Sequence, residues 1–240
     1  MPIYTLPRAG LLALVLSLTA QMAWAAPSMP VGRTGLPPVG WVAFCAERPL
    51  ACGTDAEAVR AGAARARAER EALLGGRPLP EAPRTPVPSA AAATPAPADP
   101  PILSPGVWAL LVSVNAKVNR DLRPRADTGS ADDWSLPLQD GVGVGDCEDY
   151  ALEKAQALLR AGLPRSALNL ALATTETGEF HAVLLVSTRG GDFVLDNRTD
   201  EVRRWDQVPY RWRARQVGGE PFAWATAPRA VGGADSRAGR

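Results

Sequence analysis

The stretch Gly143-Val-Gly-Asp-Cys-Glu-Asp-Tyr150 runs from a glycine-rich loop into the start of a helix and sets Cys147 among three carboxylates. Asp146 stands at the N-cap and Asp149 three residues later, the spacing of a capping box. Behind them Ala151, Leu152, Ala155, Leu158 and Leu159 make an apolar stripe at helical spacing, and Gly162 followed by Pro164 stops it. A helix buried along that stripe holds its first turn rigidly. Cys147, at the first helical position, meets unpaired N–H groups and the positive end of the helix dipole, which favour a thiolate by about 0.3 to 1 kcal/mol.

The neighbouring acids act the other way. A carboxylate about 5 Å from the sulfur, at an effective dielectric near 20, opposes a second negative charge by roughly 3 kcal/mol. Asp146, Glu148 and Asp149 all flank the thiol, so a cation has to answer them. Two are available on residues alone: a protonated histidine, or a calcium ion gathered by these hard oxygen ligands. A capping box with no metal is the competing reading of the same acids.

Downstream, residues 168–174, 180–188, 193–196 and 210–216 read as strands, with turn signals at Thr177-Gly178 and Gly190-Gly191, and together predict an antiparallel meander. His181, the sole histidine, heads His-Ala-Val-Leu-Leu-Val, and Asp196 lies in the apolar setting Val194-Leu195-Asp196-Asn197, where a carboxylate needs a partner. An unpaired cysteine at a helix start, one histidine and one buried aspartate point to a nucleophile, a base and the group that orients the base. The spacing holds one conflict. A two-residue turn at Gly190-Gly191 would set Asp196 opposite Leu185, about 13 Å along the strand from His181 at about 3.3 Å per residue. Joining them therefore calls for a longer loop, a bulge or a strong twist. In the last strand Arg211, Arg213 and Arg215 share one face, either solvated or lining an anion-attracting groove.

Upstream, Ser104-Pro105 caps a helix whose Val107, Leu110, Leu111, Val114 and Val118 face a core. Asn115 and Asn119 share a neighbouring face of it, turned either to solvent or to the active-site loop. Residues 121–145 read as a long loop with Asp132, Asp133 and Trp134 at its middle.

The amino end indicates the compartment. Arg8, an apolar run over residues 11–23 and Ala23-Trp24-Ala25 have the form of a cleaved export signal, residues 1–25, with an uncleaved anchor as the alternative. In an oxidising compartment Cys45 and Cys52 should bridge, leaving the Cys147 thiol free; a metal site on the pair would lack further ligands. Residues 26–76 form an amino-terminal segment with a helix from 55 to 74 capped by Thr54 or Asp55. Residues 77–101 are a proline- and alanine-rich linker, 102–228 the main domain and 229–240 a frayed tail. With 240 residues, 46% hydrophobic composition and a formal charge of +1, the chain can bury one sizeable core and is no nucleic-acid binder by bulk charge.

Gly-Asp-Cys147-Glu-Asp-Tyr-Ala, then His181-Ala-Val-Leu, then Val-Leu-Asp196-Asn, in this order, resembles the bacterial transglutaminase-like cysteine peptidases, a family that includes the LapG-type periplasmic proteases. The resemblance extends over residues 107–224 and includes Asp132-Asp133-Trp134 and Tyr210-x-Trp212. It implies an α+β, papain-like or transglutaminase-like fold, with the helix carrying the nucleophile packed on an antiparallel sheet and a Cys147-His181-Asp196 triad. It also implies calcium on Asp146, Glu148 and Asp149, a surface adhesin as protein substrate and an inner-membrane cyclic di-GMP receptor as partner. The expectation is thus a monomeric periplasmic cysteine endopeptidase working through an acyl-enzyme. Acyl transfer to an amine on the same triad, and a non-catalytic binding module that kept the fold, are the alternatives.

Overall fold

In the computed structural model, residues 27–76, 99–128 and 132–227 are described; the expected export signal (1–25), most of the expected linker and the expected frayed tail (229–240) lie outside them. The amino-terminal segment comprises β1 (Thr34–Gly35), α1 (Val39–Glu47), α2 (Pro49–Cys52) and α3 (Ala56–Leu74). α1 starts directly after Pro38 and buries Trp41, Phe44 and Cys45. Cys45 and Cys52 are disulfide-bonded. The Asp55 side chain caps α3, accepting the Ala58 N–H at 2.8 Å.

After the linker come α4 (Pro105–Asp121), the short parallel pair β2 (Arg123–Pro124) and β3 (Val144–Gly145), and α5 (Cys147–Arg160). Ser104 Oγ caps α4 by accepting the Val107 N–H at 3.2 Å. The sheet then forms from β4 (Leu168–Thr174), β5 (Phe180–Thr188), β6 (Gly191–Leu195), β7 (Arg203–Arg204), β8 (Arg211–Gln216) and β9 (Trp224–Thr226). Its order is β1-β9-β8-β4-β5-β6-β7, with antiparallel neighbours throughout. The expected meander therefore holds for β4, β5 and β6, and β7 continues it. The chain then crosses over, and β8 pairs with β4 instead of extending the β7 edge.

Each sheet face covers a core. Leu170, Leu184, Val186 and Leu195 pack with Leu152 and Leu158 of α5, Leu111 of α4 and Trp41, Phe44 and Val59 of the amino-terminal helices. The cysteine-pair segment thus belongs to the main core. Ala171, Ala173, Val183, Leu185 and Val194 face the other way and are covered by Met29 and Tyr210. Met29 is held there by its backbone: its N–H donates to Asp192 Oδ2 at 2.8 Å and its carbonyl accepts from Arg215 at 3.0 Å. Arg215 and Asp192 form a buried ion pair at 2.9 Å. Of the three arginines read as sharing one face of β8, only Arg211 and Arg213 are exposed. Among the described residues no helix is long and apolar enough to cross a membrane.

Candidate active site

Asp146 and Cys147 open α5 as the spacing predicts. The Asp146 N–H donates to Asp149 Oδ2 at 3.3 Å, and the other Asp149 oxygen accepts from the Ser135 N–H at 2.7 Å and its hydroxyl at 3.1 Å. Gly145 permits this closure, since a Cβ there would come within 2.3 Å of Asp149 Oδ2. Asp149 is thereby spent on building the helix start and pinning the preceding loop. Burial still pushes its carboxyl up to about 6.

The acids that converge are Asp127, Asp146 and Glu148, whose ligand oxygens lie within 4.8 Å of one another. Asp127 comes from the loop after β2 and is the member that sequence reasoning missed. Its N–H donates to Asp146 Oδ2 at 3.2 Å, while Asp146 Oδ1 is buried without a partner among the described residues. Burial raises the Asp146 carboxyl, and Asp127 and Asp132 add to the effect. Burial and the Asp146 charge also lift Glu148, to about 8. An unpartnered buried oxygen among three crowded carboxylates is a donor set that fits a hard divalent cation.

Cys147 is half-buried beside this cluster. Its thiol donates to Glu148 Oε2 at 3.1 Å, and its sulfur accepts the Ala182 N–H at 3.4 Å. Burial first, and then the Glu148 charge, push the thiol far above its usual range. The sulfur therefore sits at the head of β5 in its protonated form.

The β5–β6 register accounts for the meeting of His181 and Asp196. Thr188 pairs with Gly191, so the turn is Arg189-Gly190, one residue earlier than expected. Thr188 Oγ1 fixes it by accepting the Gly190 N–H at 3.0 Å and donating to the Gly191 carbonyl at 2.8 Å. The register set by Leu184 opposite Leu195 puts Asp196 across from Val183, only two residues from His181 and on its face of the sheet. Side chains span the remaining gap of about 7 Å along the strand, and His181 Nε2 lies 2.8 Å from Asp196 Oδ1. With Nε2 engaged, Nδ1 is the ring nitrogen left for proton exchange.

Asp196 is fully partnered. Oδ1 also accepts the Arg198 N–H at 3.0 Å and Oδ2 accepts the Tyr210 hydroxyl at 2.6 Å. Burial would raise its carboxyl, but the bonds from His181, Tyr210 and Arg198 outweigh that and hold it below the usual range. Asn119 Nδ2 ties the loop from the α4 side, donating to the Asp196 carbonyl at 3.0 Å and the Thr199 carbonyl at 3.1 Å, and Asn115 Nδ2 donates to the latter at 2.9 Å. These asparagines thus face the active-site loop.

Cys147 and His181 line one cavity of about 480 Å³ with Glu148, Trp134, Leu172 and Phe180. For a second oxyanion donor beside the Cys147 N–H, Asn119 is already committed to the Asp196 loop. Trp134 Nε1 is buried at the cavity wall without a partner among the described residues.

A family model described as bacterial transglutaminase-like cysteine proteinase BTLCP matches residues 88–230, more than half of the chain. The chain belongs to this family. It is accordingly a cysteine peptidase, and the α+β arrangement described above, with α5 packed on an antiparallel sheet, is the family's. Solved structures of Legionella pneumophila LapG are similar. A calcium-bound form is 23% identical over 51% of this chain and 71% of that one, with a TM-score of 0.44. An EGTA-treated form is 26% identical over 45% and 62%, with a TM-score of 0.41. No curated protein sequence matches the chain.

Proposed function

We propose that this peptidase is an exported, periplasmic endopeptidase in which Cys147 is the nucleophile, His181 the base and Asp196 the group that orients it. The observation that carries the reading is the His181 Nε2 to Asp196 Oδ1 bond at 2.8 Å, with the next residue, Ala182, bonded to the Cys147 sulfur at 3.4 Å. Nδ1 takes the thiol proton as the sulfur attacks a peptide carbonyl. The Cys147 N–H at the helix start receives the developing oxyanion, with the Trp134 indole N–H at the same wall as the second donor. Collapse of the tetrahedral species breaks the C–N bond, and the imidazolium returns its proton to the leaving amine. Water, deprotonated by Nδ1, then hydrolyses the thioester.

Asp127, Asp146 and Glu148 would hold the calcium ion. When bound, it would neutralise these carboxylates and engage the Glu148 oxygen that now accepts the thiol proton. The disulfide between Cys45 and Cys52 supports an oxidising compartment and therefore export. The substrate we propose is a surface adhesin, with an inner-membrane cyclic di-GMP receptor as regulator.

The test compares surface proteins of the native strain, a Cys147→Ala strain and a Glu148→Gln strain. One large surface protein retained uncut in both variants, with purified native enzyme losing its cleavage in EGTA, is the expected result. Cleavage by Cys147→Ala would end the nucleophile assignment, and full activity in EGTA would end the calcium assignment.

A further inference from the structure

Behind the His181–Asp196 pair, on the side away from the cysteine, lies a second cavity of about 340 Å³ bordered by Glu176, Asp196, Arg198, Thr199 and Tyr210. Its wall is a continuous chain of hydrogen bonds running from solvent to the triad. Glu176, at the turn between β4 and β5, accepts both terminal nitrogens of Arg198 at 3.2 Å each. Arg198 Nη1 also donates to the Tyr210 hydroxyl at 3.1 Å, and that hydroxyl donates to Asp196 Oδ2 at 2.6 Å. The Tyr210 ring meets the His181 ring edge-on, centroids 5.5 Å apart.

Resting on the triad assignment above, we infer that Tyr210 and Arg198 are positioning residues that hold the Asp196 carboxylate ionised and aimed at His181 from outside the substrate cavity. The argument is one of inventory. An aspartate orienting a base needs both oxygens fixed, and in a buried setting it stays an anion only if donors reach it. His181 and the Arg198 N–H serve Oδ1, so Oδ2 depends on Tyr210. A guanidinium on the phenol oxygen polarises that hydroxyl and strengthens its donation. Arg198 therefore acts twice, through its backbone on one oxygen and through Tyr210 on the other. Its guanidinium end lies at the surface, paired with exposed Glu176, so the triad can be perturbed from outside the cavity that Cys147 lines.

The other charged groups around Asp196 are few. Lys154 reaches it electrostatically from α5, Asp200 lies on its own loop, and α4 contributes the neutral Asn119 amide. Removing the Tyr210 hydroxyl deletes a donor to the ionised form, so protonation of Asp196 moves to higher pH.

The sole histidine gives the readout. In ¹⁵N-histidine-labelled full-length mature protein, with no histidine in any affinity tag, the Nε2–H resonance reports the Asp196 bond directly. In Tyr210→Phe the acid-side transition of that resonance should move up by about one to two pH units, the equivalent of one hydrogen bond to a charged group. In Arg198→Met it should move the same way by less. Wild-type titration in a folded Tyr210→Phe overturns the inference, and if that variant does not fold, wild-type titration of Arg198→Met does so. Neither outcome touches the nucleophile assignment, which stands or falls with Cys147→Ala.

Discussion

The two halves of the active site are built on opposite electrostatic terms. At the histidine end every oxygen of Asp196 has a donor, and burial is outweighed by hydrogen bonds. At the cysteine end three carboxylates crowd together, one buried oxygen has no partner among the described residues, and burial wins, lifting Glu148 to about 8 and the thiol higher still. One half has its charges answered by hydrogen bonds within the fold; the other leaves its carboxylates facing one another. On the reading proposed above, Cys147 would be a nucleophile held off until a cation arrives and His181 a base needing none, which would place the switch in one half only.

The most damaging way to break this contrast is at the histidine end. Asp196→Ala should lower kcat/KM by about a thousandfold or more, while calcium binding, followed by calorimetry, stays near the native value. Loss of calcium binding in this variant would show that the halves are not independent.

The cysteine end can be probed through stability. The folded-state pKa of Glu148 is raised, so its contribution is fully present below the unfolded value of about 4.3 and is lost as pH rises to about 8. Calcium-free protein should therefore show a melting temperature that falls across this window, and excess calcium or Glu148→Gln should flatten the fall. An unchanged slope in Glu148→Gln would assign it to other groups.

Lys154 sharpens the comparison from beneath. It is fully buried on α5, its Nζ has no hydrogen-bond partner among the described residues, and burial lowers its pKa to about 7 against the pull of Asp196 and Asp200. Its unfolded value is about 10.4, so between about 7 and 10.4 the unfolded chain binds more protons and stability should rise with pH. Lys154→Met should abolish that rise and raise the melting temperature at neutral pH. A lower melting temperature would mean that the ammonium is better satisfied than its surroundings indicate.

How legible these halves were differs as well. The helix start was readable because Gly145, Asp146 and Asp149 are local, and cap chemistry depends on residues three apart. Asp127 carried no such signal: it lies 19 residues before Asp146, and only the β2–β3 pairing carries its loop to the cysteine. The His181–Asp196 register was open to misreading because tandem glycines allow the turn at either of two positions. Thr188, whose hydroxyl bonds on both sides of Gly190, decides between them. The β8 crossover was hidden for a similar reason, since alternation identifies a strand and its faces without naming its neighbour. Arg215 looked like surface until Asp192 was found beneath it.

The clasp on Met29 bears on how the molecule comes together. β1 pairs with β9, Thr34 lying opposite Ala225, so the first and last strands of the sheet are neighbours. A chain emerging amino end first must leave residues 27–35 unplaced until nearly all the rest has been made, and contacts this distant in sequence form late. On the outer face of the sheet, Met29 joins Tyr210, Trp205, Val208 and Trp212 as cover, and that closure completes the second core. Assembly of this peptidase thus ends with its own beginning, and a chain cut short before β9 would have no strand with which to close.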